Sequence, residues 1–147
     1  NHAVNRGKIS VFGGAQKRPN LHITDMALCY LALLDLPSES VSGEIFNFGH
    51  QNLTVAQIAE LVRRVTEREL PDRAPISIET TPSDDHRSYH VSSAKIRDRL
   101  GLVPTRSVED AIRDIIQAFR AEKLPNPLDD DRYYNVRRMQ RGPRGSS

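Results

Sequence analysis

Apolar and polar positions along the chain alternate between two periods. Lys8 to Phe12 (K-I-S-V-F) follows a strand-like alternation and runs into the turn signal Gly13-Gly14. After Arg18-Pro19-Asn20, the residues Leu21, His22 and Ile23 predict a short strand, and Thr24 or Asp25 a helix cap. Met26, Ala27, Cys29, Tyr30, Leu33 and Leu34 then recur on one broad helical face, which ends at Pro37-Ser38. Gly43 to Gly49 reads as a strand closed by glycine. Thr54 and Gln57 have capping-box spacing, with Leu53 and Ile58 placed for a hydrophobic staple. Val55, Ile58, Ala59, Leu61, Val62 and Val65 carry that helix on. Ile76 to Thr80 predicts another strand, and Pro82 to Arg87 a polar loop. Ser92 or Ser93 starts a short helix that Gly101 stops. Ser107 caps a last helix with Val108, Ala111, Ile112, Ile115, Ile116 and Phe119 along one side. Strands alternating with helices predict an α/β layer.

Composition narrows the class. The chain has 147 residues, 37% of them apolar and 5% aromatic, enough for one domain or a piece of a larger one. A single cysteine, Cys29, excludes an internal disulfide framework and the four-cysteine zinc types; on the apolar helix face it reads as core. No run approaches 18 apolar residues and Asn1 to Lys8 contains no secretory h-region, so a cytoplasmic protein with no membrane partner is expected. The net charge of +2 is uneven: residues 132–147 hold five arginines and no acid. The basic excess is a tail rather than a face, so no nucleic-acid partner is expected. Pro-rich, acidic Leu124 to Asp131 leaves regular structure, and disorder is expected beyond Met139. Without an initiator Met, and with Asn1 to Asn5 resembling the end of an interrupted helix, the chain reads as a fragment.

Few residues carry chemistry. Arg18 follows a glycine turn and Arg87 lies in Asp84-Asp85-His86-Arg87-Ser88-Tyr89. Guanidinium forks suit phosphate oxygens, so two such loops form a possible pyrophosphate clamp. The plainer reading is that both arginines pair with nearby acids. His86 and His90 lack the partners of a metal site, and His22 between Leu21 and Ile23 reads as structural. There is no Gly-x-Ser-x-Gly elbow, Gly-x-Gly-x-x-Gly fingerprint or P-loop. Tyr133 and Tyr134 beside Arg137 and Arg138 either dock the tail or meet a ligand.

Several segments together resemble one family. These are Gly7 to Gly14, Arg18 to Ala27, Gly43 to Gly49, Thr54 to Ala59, Asp84 to Tyr89, Ser93 to Ile96, Leu100-Gly101 and Pro104. In order and spacing they are similar to the substrate-binding half of extended short-chain dehydrogenases, the NAD-dependent epimerases and dehydratases of nucleotide sugars. The resemblance implies the C-terminal part of an α/β, Rossmann-like enzyme, with a small substrate-binding subdomain and Gly43 to Gly49 as a late sheet strand. It assigns 1–131 to that portion and 132–147 to an Arg-rich tail.

It further implies that Ile9, Ser10 and Val11 offer backbone contacts to a nucleotide base, and that Arg18 and Arg87 reach the diphosphate. Arg18-Pro19-Asn20 departs from the family's Arg-Asp-Tyr, and the surroundings of Arg87 depart from its Arg-x-Gly-Asp. His22 and Asp25 would fix the strand-to-helix turn. The catalytic Tyr-x-x-x-Lys and the NAD-binding glycine loop are not in this sequence; Tyr89 and Lys95 have the wrong spacing. The resemblance therefore assigns no catalytic, cofactor-binding or metal residue to the chain. It expects NAD, a nucleotide-diphosphate sugar and a homodimer for the full-length enzyme, in which NAD transiently takes a hydride from a sugar carbon. The alternative is a non-catalytic sugar-nucleotide or protein-interaction module.

Overall fold

The computed structural model describes residues 1–85 and 87–140. Helix α1 (His2–Arg6) ends at Gly7, whose left-handed backbone turns the chain into strand β1 (Lys8–Phe12). Gly13 and Gly14, both at positive φ, make the next turn into β2 (Lys17–Asn20). Helices α2 (Ile23–Asp35) and α3 (Ser38–Val41) follow, then β3 (Gln51–Thr54) and α4 (Val55–Glu69). Strand β4 (Ser77–Thr81), helix α5 (Ala94–Leu100), helix α6 (Val108–Arg120) and a short α7 (Asn135–Gln140) complete the order. The strands form two pairs: β1 parallel to β4, and β2 antiparallel to β3.

The helices with the clearest sequence signals form as their caps dictate. Thr54 and Gln57 make the reciprocal capping box of α4, and Ser107 and Asp110 that of α6. Gly101 closes α5 in the left-handed region. Helices α4 and α6 pack together around Val4, Val65, Ile112 and Ile116, with Leu61, Val62 and Phe119 at the margin. Ile115, expected on the packed side of α6, is 51% exposed.

Three further expectations fail. Leu21 to Ile23 is not a strand: β2 lies just before it, and His22 is the helix cap in place of Thr24 or Asp25, its Nδ1 accepting the Thr24 N–H at 3.1 Å. Gly43 to Gly49 forms no ladder; the strand in this region is β3. The segment is instead held by side chains: Lys95 Nζ donates to Glu44 at 2.7 Å and to the Ile45 carbonyl at 2.9 Å, while Ser93 Oγ bridges the Gly49 N–H and C=O. Alternation made it look like a strand, but a strand also needs a backbone partner, and none lies beside it among the described residues.

The third failure concerns α2. Cys29 and Asp25 are buried, whereas Tyr30 and Leu34 from the expected core face are 61% and 81% exposed, and Ile23, Leu28 and Leu31 are exposed too. A helix apolar on more than one side outgrows the single contact surface offered here. No described helix is long and apolar enough to cross a membrane. The tail beyond Gln140, for which disorder was expected, lies outside the described residues, as does His86.

Candidate functional site

The site begins at the outer edge of β2. Val55 N–H donates to the Gln16 carbonyl at 3.1 Å, which sets the alternation of the β2–β3 ladder. By that alternation Lys17 and Pro19 turn their backbone away from β3, so the ring of Pro19 removes no ladder bond. The freed groups of Lys17 capture the loop after β4: its N–H donates to Ser88 Oγ at 2.9 Å and its C=O accepts the Tyr89 N–H at 3.1 Å. This edge pairing brings together two arginines 69 positions apart.

Arg18 and Arg87 then converge on Asp85. Arg18 Nη2 donates to Asp85 Oδ2 at 3.2 Å, and its Nη1 to the carbonyls of Arg87 at 2.6 Å and Lys17 at 3.0 Å. Arg87 holds the same carboxylate in a fork, Nε to Oδ1 at 2.7 Å and Nη2 to Oδ2 at 3.1 Å. The Arg18 guanidinium stands 5.5 Å from the centre of the Tyr89 ring. Hydrogen bonds from the Arg87 side chain and backbone, with the Arg18 charge nearby, pull the Asp85 carboxyl down to about 2; Asp85 in turn raises Arg87. Arg18 is 30% exposed and Arg87 73%, so the cluster opens to solvent. Both arginines therefore pair with an acid, as the plainer sequence reading had it, and it is one shared acid.

Ile9, Ser10 and Val11 lie in the other sheet. The Gly13 N–H donates to Thr81 C=O at 2.8 Å and the Gly7 C=O accepts Ser77 N–H at 3.0 Å, so odd-numbered residues of β1 face β4. The backbones of Ile9 and Val11 are thus spent on the ladder, and the Val11 side chain is 2% exposed. Only Ser10 of the three turns its backbone to the open edge.

His22 and Asp25 hold the α2 entrance beside β2. Both are buried. With Nδ1 accepting from Thr24, the His22 ring carries its proton on Nε2, which donates to Asp114 Oδ2 at 3.1 Å. Asp25 accepts from Thr105 N–H, Thr105 Oγ1 and Arg106 N–H at 3.0, 3.0 and 2.8 Å. Burial pushes its carboxyl up, but the hydrogen bonds from Arg106 and Thr105 outweigh burial and hold it below the ordinary value. A separate cavity of about 250 Å³ opens between His22, His50, Gln51 and Arg106. Cys29 is buried, and burial raises its thiol pKa, away from a nucleophile. Tyr133 and Tyr134 take Arg132 and Arg137 over their rings, and the Tyr134 hydroxyl accepts from Asn1 Nδ2 at 3.2 Å, which docks this segment on the domain. Among the described residues no group of three or more potential metal ligands occurs.

The residues present do not fit a dinucleotide. Gly13-Gly14 runs into strand β2 and Gly49 toward β3, whereas α2, α4, α5 and α6 open from His22, Thr54, Ser93 and Ser107. No described glycine turn leads straight into a helix N-terminus, the arrangement that seats a pyrophosphate in a dinucleotide fold. Sequence reasoning picks out Arg18 and Arg87 and an acid near each, but neither Asp85 as the one acid they share nor Tyr89 beside Arg18. The signal was there in Asp85-x-Arg87, a carboxylate two residues from the chosen arginine.

No family model matches the chain. In sequence it is 29% identical over 133 residues to the dTDP-glucose 4,6-dehydratase of Neisseria gonorrhoeae, covering 83% of this chain and 37% of that protein. In structure it is similar to UDP-glucose 4-epimerase from Thermotoga maritima in complex with UDP-glucose (TM-score 0.67, 21% identity), covering 82% of this chain and 38% of that one. The dTDP-glucose 4,6-dehydratase of Bacillus anthracis, in complex with NAD, gives a TM-score of 0.66 at 19% identity, covering 87% and 40%. The L-threonine dehydrogenase of Phytophthora infestans matches equally well, with a TM-score of 0.66 at 14% identity, covering 82% and 39%. The chain thus spans well under half the length of these relatives. In sequence the chain is similar to a nucleotide-sugar dehydratase, and its α/β fold is similar to that of NAD(P)-binding enzymes of the extended short-chain dehydrogenase type.

Proposed function

We propose that this chain is the nucleotide-diphosphate-sugar binding portion of an NAD-dependent epimerase or dehydratase. Arg18 and Arg87 grip the diphosphate, and the open edge of β1 at Ser10 faces the nucleotide. The observation that carries the reading is the convergence of two guanidinium groups, from separate parts of the chain, on one solvent-open anionic group. Paired guanidiniums match the charge and oxygen geometry of a diphosphate. The likeness to a UDP-glucose epimerase and two dTDP-glucose dehydratases supports the same substrate class.

In such an enzyme the chemical step belongs to NAD, and this chain's residues bind and orient the substrate. Grip on the remote diphosphate supplies binding energy that holds the sugar in place. The subunit arrangement that goes with this reading is a homodimer of the whole enzyme.

Calorimetric titration with UDP-glucose and dTDP-glucose tests the proposal. Arg18→Ala or Arg87→Ala should weaken binding by roughly 10- to 100-fold, the worth of a lost charge-assisted hydrogen bond. Equal affinity in the parent and both variants would sink it. Because L-threonine dehydrogenases share the fold, L-threonine is titrated alongside. Saturable binding of L-threonine with none of the nucleotide sugar would transfer the chain to that substrate class.

A further inference from the structure

Asp85 sits where a ligand anion would sit. Its two oxygens take the Nε/Nη2 fork of Arg87 and one Nη2 proton of Arg18, at 2.7, 3.1 and 3.2 Å. A fourth donor, the Arg87 backbone N–H, reaches Oδ1 at 3.2 Å. The carboxylate thus fills the face on which the two guanidiniums converge, and among the described residues no second acid of this loop pairs with them. The remaining donors of Arg18 Nη1 are spent on the carbonyls of Lys17 and Arg87. A phosphate group approaching the shared face meets a carboxylate already in place.

We propose that Asp85 is a built-in competitor for the diphosphate: it neutralises the paired arginines in the free protein and is displaced when the ligand binds. The proposal rests on the reading of Arg18 and Arg87 given above. Displacement is feasible because the pairs are open to solvent, Asp85 being 35% and Arg87 73% exposed, and such pairs are individually weak. Among the described residues the carboxylate is held by the two arginines, and the Asp85 backbone N–H donates to Ser83 Oγ at 3.1 Å. Asp85 is in this sense an affinity-setting residue rather than a ligand contact.

The test is calorimetric titration of the 147-residue chain with inorganic pyrophosphate, at low ionic strength. The proteins compared are the parent, Asp85→Asn, Arg18→Ala and the double variant. Asn keeps an oxygen for the Arg87 N–H and removes the charge. Asp85→Asn should bind pyrophosphate on the order of tenfold more tightly than the parent, and the gain should shrink in the Arg18→Ala background. Unchanged or weaker binding by Asp85→Asn, with Arg18→Ala still impaired, overturns the competitor role and makes Asp85 a residue that positions the arginines. Parent-like binding by Arg18→Ala, whatever Asp85→Asn does, instead overturns the diphosphate site itself.

Discussion

Removing the Asp25 carboxylate tests how the entrance of α2 is held to the Thr105–Arg106 segment that precedes α6. Asp25 is 4% exposed and accepts three hydrogen bonds from the Thr105–Arg106 segment. Asp25→Ala strands two backbone N–H groups and a hydroxyl where water has little access. A hydrogen bond to a charged group contributes about 1.5–3 kcal/mol, and the three are not additive, so a loss of about 3–5 kcal/mol is expected. In a domain of this size that lowers Tm by roughly 10 °C. Asp25→Asn keeps one acceptor oxygen and should cost about half as much. The pH dependence has a fixed sign. The folded carboxyl lies below its ordinary value, so its stabilisation is complete above about pH 5 and is lost as the pH falls through about 4 and below. The gap between parent and Asp25→Asn should therefore narrow on going from about pH 6 to about pH 3. Urea unfolding followed by far-UV circular dichroism reads both effects. A loss under about 1 kcal/mol for Asp25→Ala, or a gap that widens in acid, would refute the reasoning.

Other substitutions separate core from surface. Ile116→Ala, at a site 2% exposed between α4 and α6, should cost about 3 kcal/mol in the same unfolding assay. Leu34→Gln, at a site 81% exposed, should stay within about 0.5 kcal/mol, although the sequence pattern alone assigns Leu34 to the core. Ser107→Ala removes the α6 cap and should cost about 1 kcal/mol, with a smaller loss for Ser107→Asp.

The elements legible in the sequence are those whose signals are local. Thr54 and Gln57 announce α4, Ser107 announces α6, and Gly101 ends α5, because each satisfies backbone groups within a few residues. Strand β2 is polar and contains a proline; it exists because Gln51 to Thr54 pairs with it, a fact settled 31 or more positions away. Gly43 to Gly49 shows the converse, a strand-like pattern with no strand to pair with. The spacing of α2 predicts one broad apolar face, and periodicity does not say how much of a wide face finds a cover.

The site divides the same way. Arg18 and Arg87 are legible as phosphate-suited cations, although Arg18 lies in β2 rather than in a loop, and the structural reading of His22 holds, since it is buried and hydrogen-bonded at both ring nitrogens. Their convergence was not legible, because it depends on Ser88 and Tyr89 pairing with the free edge of Lys17. Nor was the division of labour along β1, where strand alternation leaves Ser10 free and spends Ile9 and Val11.

The most direct test of the account is to see where a nucleotide sugar lands. In nitrogen-15 NMR, titration with UDP-glucose should shift the guanidinium Nε–H signals of Arg18 and Arg87 and the amides of Ser88 and Tyr89 in one saturable process. Shifts confined to the cavity near His50 and Arg106, with both guanidinium signals unmoved, would contradict it.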